Sequence, residues 1–183
     1  MPTSGFLMIM FGLMMFGCIT GEDSGQAPLM TVAHVDLEKY AGEWYEIARY
    51  PNRFQHDCPA SKATYTLLPN GKVEVLNECW DQGYAKVLRS VKGKARVVDK
   101  SSNAKLKVIF FWPFSGDYWI IDLGDDYEYA VVGHPDRKYL WILSRDQKMD
   151  EKLYRRITES LREKGYDPDR LIGRNEKGDS YGS

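Results

Sequence analysis

The chain of 183 residues carries 25 basic against 26 acidic side chains, and 43% of it is hydrophobic. That length allows one domain, or two small ones. The near-balance of charge argues against a nucleic-acid reader, which shows a basic surplus on one face.

The first element is an uncharged apolar run from Gly5 to Gly17. It is shorter than the ~20 residues that span a membrane and fits the apolar region of an export signal over residues 1–17, although no Lys or Arg precedes it. Residues 14–18, Met-Met-Phe-Gly-Cys, resemble a bacterial lipobox, with Met15 where leucine is usual. That resemblance implies cleavage before Cys18 and lipidation of that cysteine. Ile19 stands where an aspartate linked to inner-membrane retention would be, so for a Gram-negative source the implied address is the outer membrane, facing the periplasm, and otherwise the protein is secreted. A plain secretory signal with an incidental cysteine is the other reading. Residues 18–34 read as a flexible linker and 35–175 as the folded body.

From Val35 onward, short apolar runs alternate with turn signals, the pattern of an all-β barrel or sandwich. The first strand is Glu43 to Tyr50. Two runs then flank Pro69-Asn70-Gly71, a hairpin signal. A two-residue turn at Asn70-Gly71 would set Cys79 opposite Lys62 and leave Cys58 four residues beyond, ~13 Å along a regular strand. Cys58 and Cys79 are the two cysteines left after export and so candidates for a disulfide. A bridge requires Cα atoms within ~7 Å, so Pro59 would have to bend the chain back. Tyr84 to Asp99 reads as a long strand with a bulge or bend at Gly93. Leu106, Val108, Phe110 and Trp112 share one face opposite Lys105 and Lys107, and should point inward. Three further strands follow, broken at Gly124-Asp125-Asp126 and at His134-Pro135-Asp136.

The period then changes. Leu153, Ile157 and Leu161 recur at four-residue steps, with Asp150 as N-cap and Gly165 as stop. The apolar stripe is narrow, so this helix should dock on the outside. Asp169 to Asn175 could add a ninth short strand, and the polar tail 176–183 reads as disordered. Eight antiparallel strands and one C-terminal helix favour a closed up-and-down barrel, which removes open edges and leaves room for one small ligand.

Gly42 to Pro51, Gly-Glu-Trp-Tyr-Glu-Ile-Ala-Arg-Tyr-Pro, matches the Gly-x-Trp signature of the lipocalins. In order behind it come Tyr65, the hairpin Asn70 to Asn77, the block Asp117 to Val132, and Pro135 to Arg145. Over Val35 to about Asn175 the chain therefore resembles a lipocalin, and within that family the bacterial outer-membrane branch and its animal relatives. The resemblance implies that Trp44 closes the barrel base, that Arg145 lies across its ring, and that Gly42 lets the chain enter tightly. By alternation from Trp44, Glu46 and Ala48 should face the lumen. The family register adds Tyr65, Val75, Asn77, Val108, Phe110, Trp112 and Trp141 to the ligand-binding set. The implied partner is a fatty acid or lysophospholipid, stored or moved among membrane lipids of the cell envelope. Lys62, Lys72 or Arg53 could meet its head group, or be plain surface charge.

His34, His56 and His134 lack metal-site spacing, and no nucleophile elbow or phosphate loop occurs. The expectation is a binding protein without catalytic residues, metal or cofactor. Two other classes stay open: an enzyme using Cys58 or Cys79 on a bound lipid, and a homodimeric scaffold with a filled lumen. Free thiols would mark the first, and an absent cavity the second.

Overall fold

A computed structural model describes residues 27–111 and 113–173. The expected signal, Cys18, Trp112 and the tail lie outside the described residues. In chain order the elements are α1 (Leu37–Tyr40), β1 (Gly42–Arg49), β2 (Ala60–Leu67), β3 (Val73–Trp80), β4 (Val87–Val97), β5 (Lys105–Phe111), β6 (Phe114–Leu123), β7 (Tyr129–Gly133), β8 (Leu140–Ser144) and α2 (Glu151–Glu163). A 3-10 turn and β9 (Ile172–Gly173) end the described chain. Successive strands from β2 to β8 pair antiparallel, and β1 closes the barrel by pairing with both β8 and β2. The ninth strand pairs with Ala48 and Arg49. It occupies the stretch of β1 that β2 leaves after Tyr45, so this edge is not left open.

Side-chain alternation builds two cores. Trp141 and Leu143 of β8 point into the lumen, whereas Leu140 and Ile142 belong to a second cluster beneath α2. All five residues of β7 are buried, because both faces of that strand are covered. The helix sits outside as its stripe requires, with Ile157 and Leu161 each 1% exposed. Asp150 caps it by accepting from the amides of Lys152 and Leu153. The amide of Tyr166 closes its C-terminus on the Leu161 carbonyl at 2.9 Å. Ala27 to His34 do not stand free as a linker. The Ala27 carbonyl accepts from Arg137, Leu29 is buried in the outer cluster, and the Val32 amide donates to the Ile120 carbonyl.

The hairpin differs from its expected register by one residue. Gly71 alone takes a positive φ, +74°, and its amide donates to the Leu68 carbonyl, while Leu68 pairs with Lys72. This is a three-residue loop, Pro69-Asn70-Gly71, in place of a two-residue turn. Ser61 therefore faces Cys79, and Cys58 lies three residues beyond. The chain bends there, Asp57 having φ +57°, and Cys58 and Cys79 form a disulfide with Cα atoms 5.6 Å apart. Gly93 marks no bulge. A Cβ at this position would stand 2.6 Å from the Phe110 ring, so the glycine makes room for that side chain inside a continuous strand.

The base is sealed by contacts reaching across the sequence. Asp36 caps α1, accepting from the Glu38 and Lys39 amides, and its own amide donates to the Tyr127 hydroxyl. Trp44 is fully buried and donates from Nε1 to the Tyr40 carbonyl at 2.8 Å. The Arg145 guanidinium lies 3.8 Å above the Trp44 ring and donates to the carbonyls of Lys39, Ala41, Glu43 and Tyr127. Gly42 has φ +97°, and a Cβ there would approach Arg145 Nη1 to 3.3 Å. Above this plug the hydroxyls of Tyr40, Tyr118 and Tyr65 form a chain, 2.7 and 2.9 Å long in its two links. Burial pushes all three phenols up, Tyr65 to about 12.

Three outcomes follow for stability. Arg145→Met removes a cation–π contact and strands several carbonyls, so it should lower the unfolding free energy by about 3 kcal/mol in denaturant titration. Loss of the disulfide in the Cys58→Ser/Cys79→Ser protein frees a loop closed over a sequence separation of 21. A loop of this size should cost about 3 kcal/mol, roughly 6–12 °C in Tm. In the unfolded chain each phenol ionises near pH ~10, whereas folded Tyr65 keeps its proton to about 12. The folded state then binds more protons, so Tm should be insensitive to these groups below pH ~10 and fall as pH rises toward 12. Ultraviolet titration that ionised all three phenols near pH ~10 in the folded protein would refute this.

Candidate ligand-binding site

The barrel closes at the end carrying α1 and opens at the other, where β1 runs into the loop Tyr50 to Pro59. β1 can turn toward this mouth because its register against β8 shifts between Glu46 and Ala48. The extra residue, Ile47, interrupts alternation, so Glu46 faces the lumen opposite Leu143 and Arg49 faces it opposite Trp141. The two pair directly, Arg49 Nη1 donating to Glu46 Oε1, with side chains 9% and 7% exposed. The pair satisfies what would otherwise be two isolated buried charges.

The loop folds over this pair and is tied down at several points. Asn52 Oδ1 accepts from the amides of Phe54 and Gln55. Gln55 then reaches inward. Its Nε2 donates to Glu46 Oε2 at 2.6 Å and to Ser61 Oγ at 3.0 Å, and its Oε1 accepts from Trp141 Nε1 at 2.8 Å. Arg49 Nη2 holds the carbonyls of Gln55 and Cys58, and Arg89 from β4 donates to the His56 carbonyl. The disulfide adds a covalent tie to β3. Together these make a polar cap over an interior whose walls are mostly apolar.

Below the cap, the inward-facing side chains pass from partly accessible to closely packed. Asn77, Val91, Phe110 and Trp141 face inward yet are only partly buried. At the floor the free space is about 10 Å³, bounded by Tyr40, Tyr65, Leu106, Val108 and Tyr118. That is too little for an acyl chain and marginal for one water. A wider depression of about 380 Å³ lies on the barrel flank, where Lys72, Lys92, Lys94 and Arg96 surround Glu74 and Ile109.

Most of the expected lining residues do face the lumen: Glu46 at the cap, Trp141 beside it, Asn77, Val75, Val108 and Phe110 on the wall, and Tyr65 at the floor. Ala48 does not. The shift at Ile47 turns it outward into the cluster under α2, where it pairs with Ile142. Trp44 and Arg145 form the base, as the resemblance implied. Lys62 lies on the outer wall, 2.7 Å from Glu43 and over the Trp80 ring, and Lys72 belongs to the flank depression. Arg53 sits at the mouth against Phe54. The reading from sequence missed Arg49, Gln55 and Ser61, since period-two alternation places Arg49 outside and gives a loop glutamine no role. Cys58 and Cys79 are bridged, so neither presents a thiol. Among the described residues no cluster of His, Cys, Asp or Glu could hold a metal.

The Lipocalin-like domain matches residues 35–176. Temperature-induced lipocalin-1 of Arabidopsis thaliana is 43% identical over 149 residues, covering 76% of this chain and 78% of the relative. Outer membrane lipoprotein Blc of Escherichia coli is 36% identical over 143 residues, with 77% and 79% covered. Apolipoprotein D of Mus musculus is 35% identical over 150 residues, with 74% of each covered. Among solved structures, insecticyanin from Manduca sexta superposes with a TM-score of 0.63 at 20% identity, covering 84% of this chain and 87% of that one. Domain match, relatives and fold agree, and the chain belongs to the lipocalin family.

Proposed function

We propose that this lipocalin is an exported lipid-binding protein that holds one fatty acid or lysophospholipid and stores or carries membrane lipids in the cell envelope. The observation that carries the reading is the gradient inside the barrel. Partly accessible Val91, Phe110 and Trp141 line an apolar upper lumen, and the buried polar groups above the floor gather at its mouth. An amphiphile fits that order, with its chain between the walls and its polar end at the cap. Each buried methylene adds ~0.8 kcal/mol of gross driving force. The packed floor restricts the chain to the upper half. Relatives named outer membrane lipoproteins support an envelope role.

In this reading acylated Cys18 tethers the protein to the outer membrane. The path of the N-terminal segment supports a particular orientation. Ala27 lies against Arg137 in the loop between β7 and β8, at the open end of the barrel. Cys18 precedes it by nine residues, a reach of at most ~30 Å. The mouth would then be held near the lipid surface, where Phe54, Leu88 and Phe114 on three different mouth segments are 62%, 50% and 78% exposed.

The test is native mass spectrometry of the soluble form starting at Ile19, purified from its host, followed by lysophospholipid titration read by tryptophan fluorescence. A co-purified amphiphile and saturable quenching at one site per chain are expected, with a smaller amplitude in Trp141→Phe. An empty protein whose tryptophans ignore every amphiphile would leave a ligand-free scaffold as the better account.

A further inference from the structure

One buried group at the cap is left incomplete. Arg49 spends Nη1 on Glu46 and Nη2 on the carbonyls of Gln55 and Cys58, but its Nε–H is buried and meets no acceptor among the described residues. A buried donor without a partner is destabilising, and such groups mark places where a further acceptor belongs. The residue stands opposite Trp141 on the inward face, at the level where the polar end of a lumen ligand would arrive. Glu46 and Gln55 are already engaged with one another and with Ser61 and Trp141. What the cluster leaves open is therefore a donor that belongs to a pair of zero net charge.

We propose that Arg49 Nε–H is the head-group contact of the lumen, and that its pairing with Glu46 makes the site select uncharged acceptors, such as an acyl ester or hydroxyl, over free carboxylates. The proposal rests on the lipid-carrier reading and adds ligand class to it. A carboxylate at Nε–H meets a guanidinium whose charge Glu46 already balances through Nη1, so the pairing weakens the attraction while the hydration of the carboxylate is lost. An ester carbonyl gives up little hydration and accepts the waiting bond. For a lysophospholipid, the ester would lie at Arg49 and the phosphate beyond it toward solvent. Removing the charge of Glu46 reverses the logic, because an unpaired guanidinium is a natural partner for a carboxylate.

The experiment compares a long-chain fatty acid with its methyl ester, at about pH 8 where the acid is ionised. Binding is followed by tryptophan fluorescence in the wild type and in Glu46→Gln, with folding of the variant checked by circular dichroism. The wild type should bind the ester about tenfold tighter or more, and Glu46→Gln should shift the ratio toward the acid by about tenfold. On the unaltered protein, the Arg49 Nε–H resonance should move when the ester is added, a readout that needs no variant. Binding of both ligands with the same ratio in wild type and variant, or a resonance that stays still, overturns the subsite while the carrier reading survives. Failure of the wild type to bind either ligand overturns this proposal, and failure to bind the lysophospholipid as well removes the carrier reading.

Discussion

One extra residue in β1 controls much of this molecule. The shift at Ile47 lets a single strand serve two cores. Trp44 and Glu46 face the lumen, whereas Ala48 and Tyr50 turn outward to α2 and the C-terminal segment. The same shift returns Arg49 to the interior beside Glu46, which regular alternation would have prevented. It also bends the strand toward the loop that covers the mouth. The polar cap, the seat of the helix and the short ninth strand all follow from this irregularity.

The barrel divides its labour between its ends. At the base, Arg145 gathers carbonyls from α1, β1 and the loop before β7, and stacks on Trp44. These groups converge from segments roughly a hundred residues apart, so the contact is a closure of the fold rather than local trim. Three hydrogen-bonded phenols continue the packing upward and leave almost no space. At the mouth, polar groups are also buried, but Arg49 Nε–H on the inner face and Trp80 Nε1–H at the end of β3 meet no acceptor among the described residues, and the wall residues below are partly accessible. A satisfied network rigidifies, and an incomplete one marks where something else fits.

The site was only partly legible from the chain. Side chains in regular strand stretches, such as Val73, Val75 and Leu106, obey the two-residue period, and their direction followed from it. Ala48 failed because a bulge carries no residue signature strong enough to be seen in one sequence. Gln55 failed for another reason: its role arises from contact with Glu46, Ser61 and Trp141, three separate strands brought together by closure. The hairpin shows the limit on turn chemistry. Asn70-Gly71 correctly marked the turn, but two loop lengths use the same pair, and the difference moved Cys79 from Lys62 to Ser61.

What the sequence determined by itself was the order and kind of elements: strands from alternation, one outer helix from the stripe Leu153, Ile157 and Leu161, and family membership from blocks around Gly42-Glu43-Trp44 and Arg145. These depend on local periodicity and on short motifs, which one chain displays openly. Only the tertiary structure decided which end is packed, which way Ala48 and Arg49 point, and that Cys58 reaches Cys79. Those outcomes depend on register and closure. A shift of one residue in either inverts which face a side chain occupies, and nothing in the local sequence energetics opposes it.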